Sequence, residues 1–137
     1  MEEANRPIIL VVDDDSRDRE LFRVILEQAG YSVAEASSGR EALETILNIR
    51  VDLTILDLTM PEMDGLEVLR ATKKMPKPKV IAVTGLPSVF ADTMLEAARK
   101  LGATATLDKQ RAYDFLVPTV RELLGEPDLT FPGQGGP

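Results

Sequence analysis

A chain of 137 residues has room for one ordinary domain. Its 44% apolar and 28% charged residues suit a globular protein with a real core, and 16 basic against 23 acidic residues leave a net charge of −7, which disfavours direct binding to a phosphate backbone. The absence of cysteine and histidine excludes disulfides, thiolate or imidazole metal sites, His-based general bases and any phosphohistidine relay inside the chain, so chemistry must use carboxylates, hydroxyls, lysines and a hard cation.

The order of elements follows from the spacing of apolar residues. Residues 1–7 lack the basic-then-apolar layout of a signal peptide, and no run approaches the ~18 apolar residues needed to span a bilayer, so a cytosolic protein is expected. Ile8–Val12 is a continuous apolar run, the mark of a strand buried on both faces. Asp15 with Ser16 caps a helix whose Leu21, Val24, Ile25 and Gln28–Ala29 fall at helical spacing, with Gly30 as its stop. Tyr31–Ala36 reads as a second strand. Ser38 and Glu41 have the form of a capping box, opening a helix with Ala42, Leu43, Ile46 and Leu47 on one face. Leu53–Leu56 is a third strand ended by Asp57, and a helix follows Gly65, carrying Leu66, Val68, Leu69 and Thr72 until Met75-Pro76 stops it. Val80–Val83 is a fourth strand, Ser88–Leu101 a helix ended by Gly102, and Ala103–Leu107 a short fifth strand. The last helix, Ala112–Leu124, carries Phe115, Leu116, Val120, Leu123 and Leu124, with Pro118 expected near its start or at a kink. Residues 1–125 thus form the domain, and residues 126–137, rich in proline and glycine, a loose tail.

Five strand–helix units imply an α/β fold, and right-handed crossovers favour a doubly wound, five-stranded parallel sheet of order 2-1-3-4-5, flavodoxin-like in form. Such sheets bind ligands outside the carboxyl ends of their strands, where the winding reverses. Strand one ends in Asp13-Asp14-Asp15, strand three in Asp57, strand four in Thr84 and strand five in Asp108-Lys109, whereas the edge strand two ends only in Ser37 and Ser38. Singly, each residue has an ordinary structural explanation: Asp after a strand caps a helix or makes a turn, Thr forms strand, Lys is a solvated charge. Together they are a pocket. Two like charges ~4 Å apart repel by about 4 kcal/mol at an effective dielectric of roughly 20, so Asp13, Asp14 and Asp57 brought together either raise one another's pKa or bind a divalent cation. Oxygen ligands alone suit Mg²⁺. A cation, Lys109 and a hydroxyl would let the pocket tolerate a phosphoryl group, with an Asp as nucleophile giving an aspartyl phosphate.

The stretches Ile9-Leu10-Val11-Val12-Asp13-Asp14-Asp15, Leu56-Asp57-Leu58-Thr59-Met60-Pro61-Glu62-Met63-Asp64-Gly65, Val80-Ile81-Ala82-Val83-Thr84-Gly85, and Gly102-Ala103 followed by Lys109 resemble the receiver domain of two-component response regulators, over residues 6–124. The resemblance implies that Asp57 is the phosphoacceptor, that Asp14 ligates Mg²⁺ directly and Asp13 largely through water, and that Thr59 lends the metal its backbone carbonyl. It further implies that Thr84 and Lys109 contact the phosphoryl group, and that the donor is a partner histidine kinase or phosphotransfer protein. A receiver without an output domain, signalling to another protein and touching neither nucleic acid nor membrane, is the leading expectation. Three positions depart from the family pattern. Gln110 stands where a proline in a cis peptide bond is usual, Thr106 where an inward-turning aromatic is usual, and Gly85 where alanine is usual. Leu86, two residues after Thr84, is expected to slow self-dephosphorylation. Gln110 and Thr106 leave open a degenerate receiver acting as a constitutive binding module. A Mg²⁺-dependent phosphatase is the third reading, weakened because Thr59 stands where such enzymes carry a second aspartate. No Walker-type phosphate loop is present.

Overall fold

The β-branched and leucine-rich runs form five parallel strands: β1 (Ile8–Val12), β2 (Ser32–Ala36), β3 (Leu53–Asp57), β4 (Lys79–Thr84) and β5 (Ala105–Asp108). They lie in the sheet order β2-β1-β3-β4-β5, as the doubly wound pattern requires. The crossovers are α1 (Ser16–Gln28), α2 (Gly39–Asn48), α3 (Gly65–Thr72) and α4 (Ser88–Lys100), and α5 (Lys109–Leu124) closes the order. This computed structural model describes residues 6–61, 63–73 and 78–125. The expected stop of α3 at Met75-Pro76 and the tail at 126–137 lie outside the described residues.

Alternation along each strand divides the core in two. Leu10, Val12, Leu56, Val80 and Ala82 pack with Ala42 of α2, Val68 and Leu69 of α3 and Leu95 and Ala98 of α4. Ile9, Val11, Ile55, Ile81 and Val83 pack with Phe22 and Leu26 of α1 and with Ala112, Leu116 and Val120 of α5. Asp13 follows the second row of β1 and Asp57 that of β3, so pleat alternation turns both carboxylates toward the side covered by α1 and α5.

Several boundaries and faces differ from the sequence reading. Asp15 alone caps α1, its Oδ1 accepting from the N–H of Arg17 at 2.8 Å and of Asp18 at 3.4 Å, and Ser16 is already helical. The buried stripe of α1 is Phe22 and Leu26 flanked by Ile25 and Ala29, while Leu21 and Val24 are exposed. Phe22 wins the stripe because its ring is larger and meets Tyr113 of α5, ring centroids 5.8 Å apart. In α2, Leu47 is 70% exposed, since the helix turns only Ala42, Leu43 and Ile46 to the sheet. The capping box there is shifted by one residue: Ser38 Oγ accepts from Glu41 N–H at 3.1 Å, but Glu41 Oε1 accepts from the N–H of Ser37. β5 runs from Ala105, later than expected, and α5 starts at Lys109 rather than Ala112, because Asp108 caps it by accepting from Arg111 N–H at 3.0 Å. Pro118 therefore sits inside α5 rather than at its start, and Phe115 is exposed beside the buried stripe of Ala112, Leu116 and Val120. The expected stops hold at Gly30 and Gly102, whose φ of 100° and 108° end α1 and α4 in the left-handed region open to glycine.

Candidate functional site

The carboxyl ends of β1, β3, β4 and β5 meet at one rim. There a carboxylate oxygen from each of Asp13, Asp14 and Asp57 lies within 4.8 Å of the other two. Asp13 and Asp57 are 1% and 3% exposed, and Asp14 is open to solvent. Burying two like charges side by side is costly unless something positive joins them. Lys109 does so: its Nζ is 2.7 Å from Asp13 Oδ2 and 3.7 Å from Asp57 Oδ2.

The backbone around the pocket fixes each acid. Asp13 N–H donates to Ala36 O at 3.1 Å, Asp13 Oδ1 accepts from Asp15 N–H at 2.9 Å, and Arg19 Nη1 donates to the Asp13 carbonyl at 2.8 Å. Arg19 is itself held by Glu35 of the neighbouring strand, at 3.1 Å. Asp57 Oδ1 accepts from both the N–H and the hydroxyl of Thr59, each at 3.0 Å. The turn after β3 closes tightly through Gly65: a Cβ there would lie 2.5 Å from the Asp57 carbonyl oxygen and 2.8 Å from Leu58 Cα. Only glycine lets the N-terminus of α3 come so near the strand end that carries Asp57.

Lys109 is the first residue of α5, and the Lys109–Gln110 peptide bond is trans. Its stem runs past Gly85, where a Cβ would meet Lys109 Cδ at 3.4 Å. Thr84 is fully buried and its hydroxyl accepts from Leu86 N–H at 3.2 Å. An open cavity of about 340 Å³ beside the lysine is lined by Thr84, Gly85, Leu86, Pro87, Asp108 and Gln110 together with Lys109 itself. Thr106 points elsewhere, accepting from Arg99 Nη2 of α4 at 3.0 Å.

Electrostatics follow the burial. Desolvation pushes the Asp57 carboxyl up to about 6, with Asp13 adding to the rise, against the Thr59 N–H and Lys109, which oppose it. Burial pulls the Lys109 ammonium down, but its acidic neighbours Asp13, Asp18 and Asp57 outweigh this and hold it above the ordinary lysine value. Asp15 is lowered by the N–H groups of Arg17 and Asp18, as a helix cap should be.

Of the residues expected at the site, Asp13, Asp14, Asp57 and Lys109 are brought into one cluster, and Thr59 is bonded to Asp57. Thr84 lies at the rim on β4, one position beyond Val83, the register partner of Asp57. Asp18 is the residue that sequence reasoning missed. Its Oδ2 is 2.9 Å from Lys109 Nζ, although a first-turn acid on α1 reads from sequence only as helix-dipole chemistry.

A model of the response regulator receiver domain matches residues 9–121. The chain belongs to the response regulator receiver family. Among curated relatives of this receiver, the transcriptional regulatory protein ZraR of Escherichia coli K12 is 39% identical over 117 residues, which is 85% of this chain and 26% of ZraR. The chain spans between 26% and 50% of the length of such curated relatives. A CheY-like receiver domain protein from Methanospirillum hungatei is similar at 33% identity and a TM-score of 0.76, covering 85% of this chain and 92% of that one. The response regulator TrrA of Thermotoga maritima, solved in complex with Mg²⁺ and BeF, is similar at 35% identity and a TM-score of 0.74, covering 86% of this chain and 99% of that one. Among the described residues of this receiver, no helix is long and apolar enough to cross a membrane.

Proposed function

We propose that this receiver is a phosphorylation-dependent signalling switch, taking a phosphoryl group on Asp57 from a partner histidine kinase or phosphotransfer protein and changing the face it presents to a downstream protein. The observation that carries the reading is the buried Asp57 carboxylate with Asp13 and Asp14 within 4.8 Å and the Lys109 ammonium 3.7 Å away. An oxygen-only donor set of that size fits a hard divalent cation, which Asp13, Asp14 and Asp57 would hold, with the backbone carbonyl of Thr59 added from the family resemblance. Mg²⁺ bound there supplies positive charge that offsets the carboxylate repulsion and the charge on the phosphoryl oxygens.

The remaining steps belong to the chain itself. Asp57, held by both donors of Thr59, attacks phosphorus with a carboxylate oxygen. The P–O bond to Asp57 forms as the P–N bond to the donor imidazole breaks, and the departing nitrogen keeps the electron pair. Lys109 neutralises one phosphoryl oxygen. Thr84, whose hydroxyl proton is not used in accepting from Leu86 N–H, donates to another. Movement of Thr84 and Lys109 toward the phosphoryl group would then bias a two-state equilibrium of the surrounding loops.

Intact mass after incubation with Mg²⁺ and a small-molecule phosphodonor tests this, with Asp57→Asn as control. The expected result is a gain of one phosphoryl group in the wild type and none in the variant. No gain favours a constitutive binding module, and sustained turnover of free phosphate esters favours a phosphatase.

A further inference from the structure

Lys109 has a partner that lies outside the three-carboxylate cluster. Its Nζ stands 2.9 Å from Asp18 Oδ2, closer than the 3.7 Å to Asp57 and nearly as close as the 2.7 Å to Asp13. The ammonium is thus in close ion-pair contact with Asp13 and Asp18, and both carboxylates draw it toward themselves. Asp57 is left at the longer separation. Asp18 is held where it is by the first turn of α1, its N–H directed to the capping oxygen of Asp15. Lys109 is held by the first turn of α5, capped by Asp108. Both helices are anchored by the same half of the core, so the ion pair joins two fixed points.

We propose that Asp18 is a positioning residue that restrains Lys109 and competes with a phosphoryl group on Asp57 for it, so setting how tightly the pocket holds that group. The inference rests on the reading of Asp57 as phosphoacceptor. Phosphorylation adds negative charge at Asp57, and Asp18 opposes it twice. It holds in an ion pair the ammonium that the phosphoryl oxygens need, and its own charge repels them across Lys109. Asp13 also pairs with Lys109, but it belongs to the three-carboxylate group assigned to the cation, of which Asp18 is not a member. Its contribution is therefore separable by substitution.

The test titrates the full chain, in Mg²⁺, with beryllofluoride as phosphoryl mimic and reads bound fluorine by ¹⁹F NMR. Asp18→Asn keeps the shape and removes the charge, and it should bind about tenfold more tightly than wild type. Asp18→Glu restores the charge and should return affinity toward wild type. Glu20→Gln removes the same charge from an exposed position on the same helix, where it faces Arg23 at 3.8 Å, and should leave affinity unchanged. Equal or weaker binding by Asp18→Asn overturns the proposal, as does a Glu20→Gln variant that matches it or an Asp18→Glu variant indistinguishable from it. Wild type that takes up no beryllofluoride, or Asp57→Asn that binds it equally well, overturns instead the phosphoacceptor reading beneath it.

Discussion

Asp57 carries a charge in a place that resists one, and that conflict makes its behaviour measurable. Its folded value of about 6 lies above the unfolded value of 3.8, so the folded state holds the extra proton between those pH values. Metal-free stability from this group is fully present below pH 3.8 and is lost as pH rises through about 6. Asp57→Asn, which cannot ionise, should therefore be more stable than wild type by up to about 3 kcal/mol at pH 8 in chelator, with the advantage vanishing near pH 4. Urea unfolding of both proteins across that range checks it, and a constant difference would contradict the assignment. Leu86 lines the cavity beside Lys109 and offers nothing to orient a water. Leu86→Glu should shorten the phosphoryl lifetime on the order of tenfold, followed by loss of phosphoprotein mass with time; a lifetime unchanged or longer contradicts it. At this scale the sequence was legible wherever a residue ends a strand, because the strand end fixes its address. Asp18 was not legible, since its importance comes from where α5 begins, a boundary the apolar pattern placed three residues late.

At the scale of elements, local chemistry decides more than periodicity. The turn from β3 into α3 depends on Gly65, because a side chain there meets the backbone of Asp57 and Leu58, which cannot swing aside. Gly65→Ala should cost about 2 kcal/mol in thermal or chemical unfolding and should lower phosphorylation as well. Pro118 in α5 acts in the other direction. It is exposed, and it denies the Asp114 carbonyl its partner four residues on. Pro118→Ala should stabilise the fold by about 1–3 kcal/mol, a rise visible in the thermal midpoint, while leaving the rim untouched. The existence and order of all ten elements could be read from spacing alone. Their exact faces could not: Leu21, Leu47 and Phe115 satisfy a helical period yet stand in solvent, because period fixes a stripe only to within a residue and packing chooses its centre.

For the whole molecule, topology does the work that no single segment does. Parallel strands in the order β2-β1-β3-β4-β5 bring Asp13, Asp57 and Lys109, far apart in the chain, to one rim, while β2, at the edge, sends no acid there. A cation at that rim should therefore stabilise the entire fold. At Mg²⁺ a hundredfold above its dissociation constant the gain should be about 2.7 kcal/mol at pH 8, shrinking as pH falls below 6 and protons compete for Asp57. Unfolding with and without Mg²⁺ at both pH values measures it. The most direct test of the central claim locates the phosphoryl group itself. After incubation with a phosphodonor and Mg²⁺, borohydride reduction and peptide mapping should convert position 57 alone to homoserine. Conversion at Asp13 or Asp14, or at no position in a protein that had gained phosphoryl mass, would contradict the account.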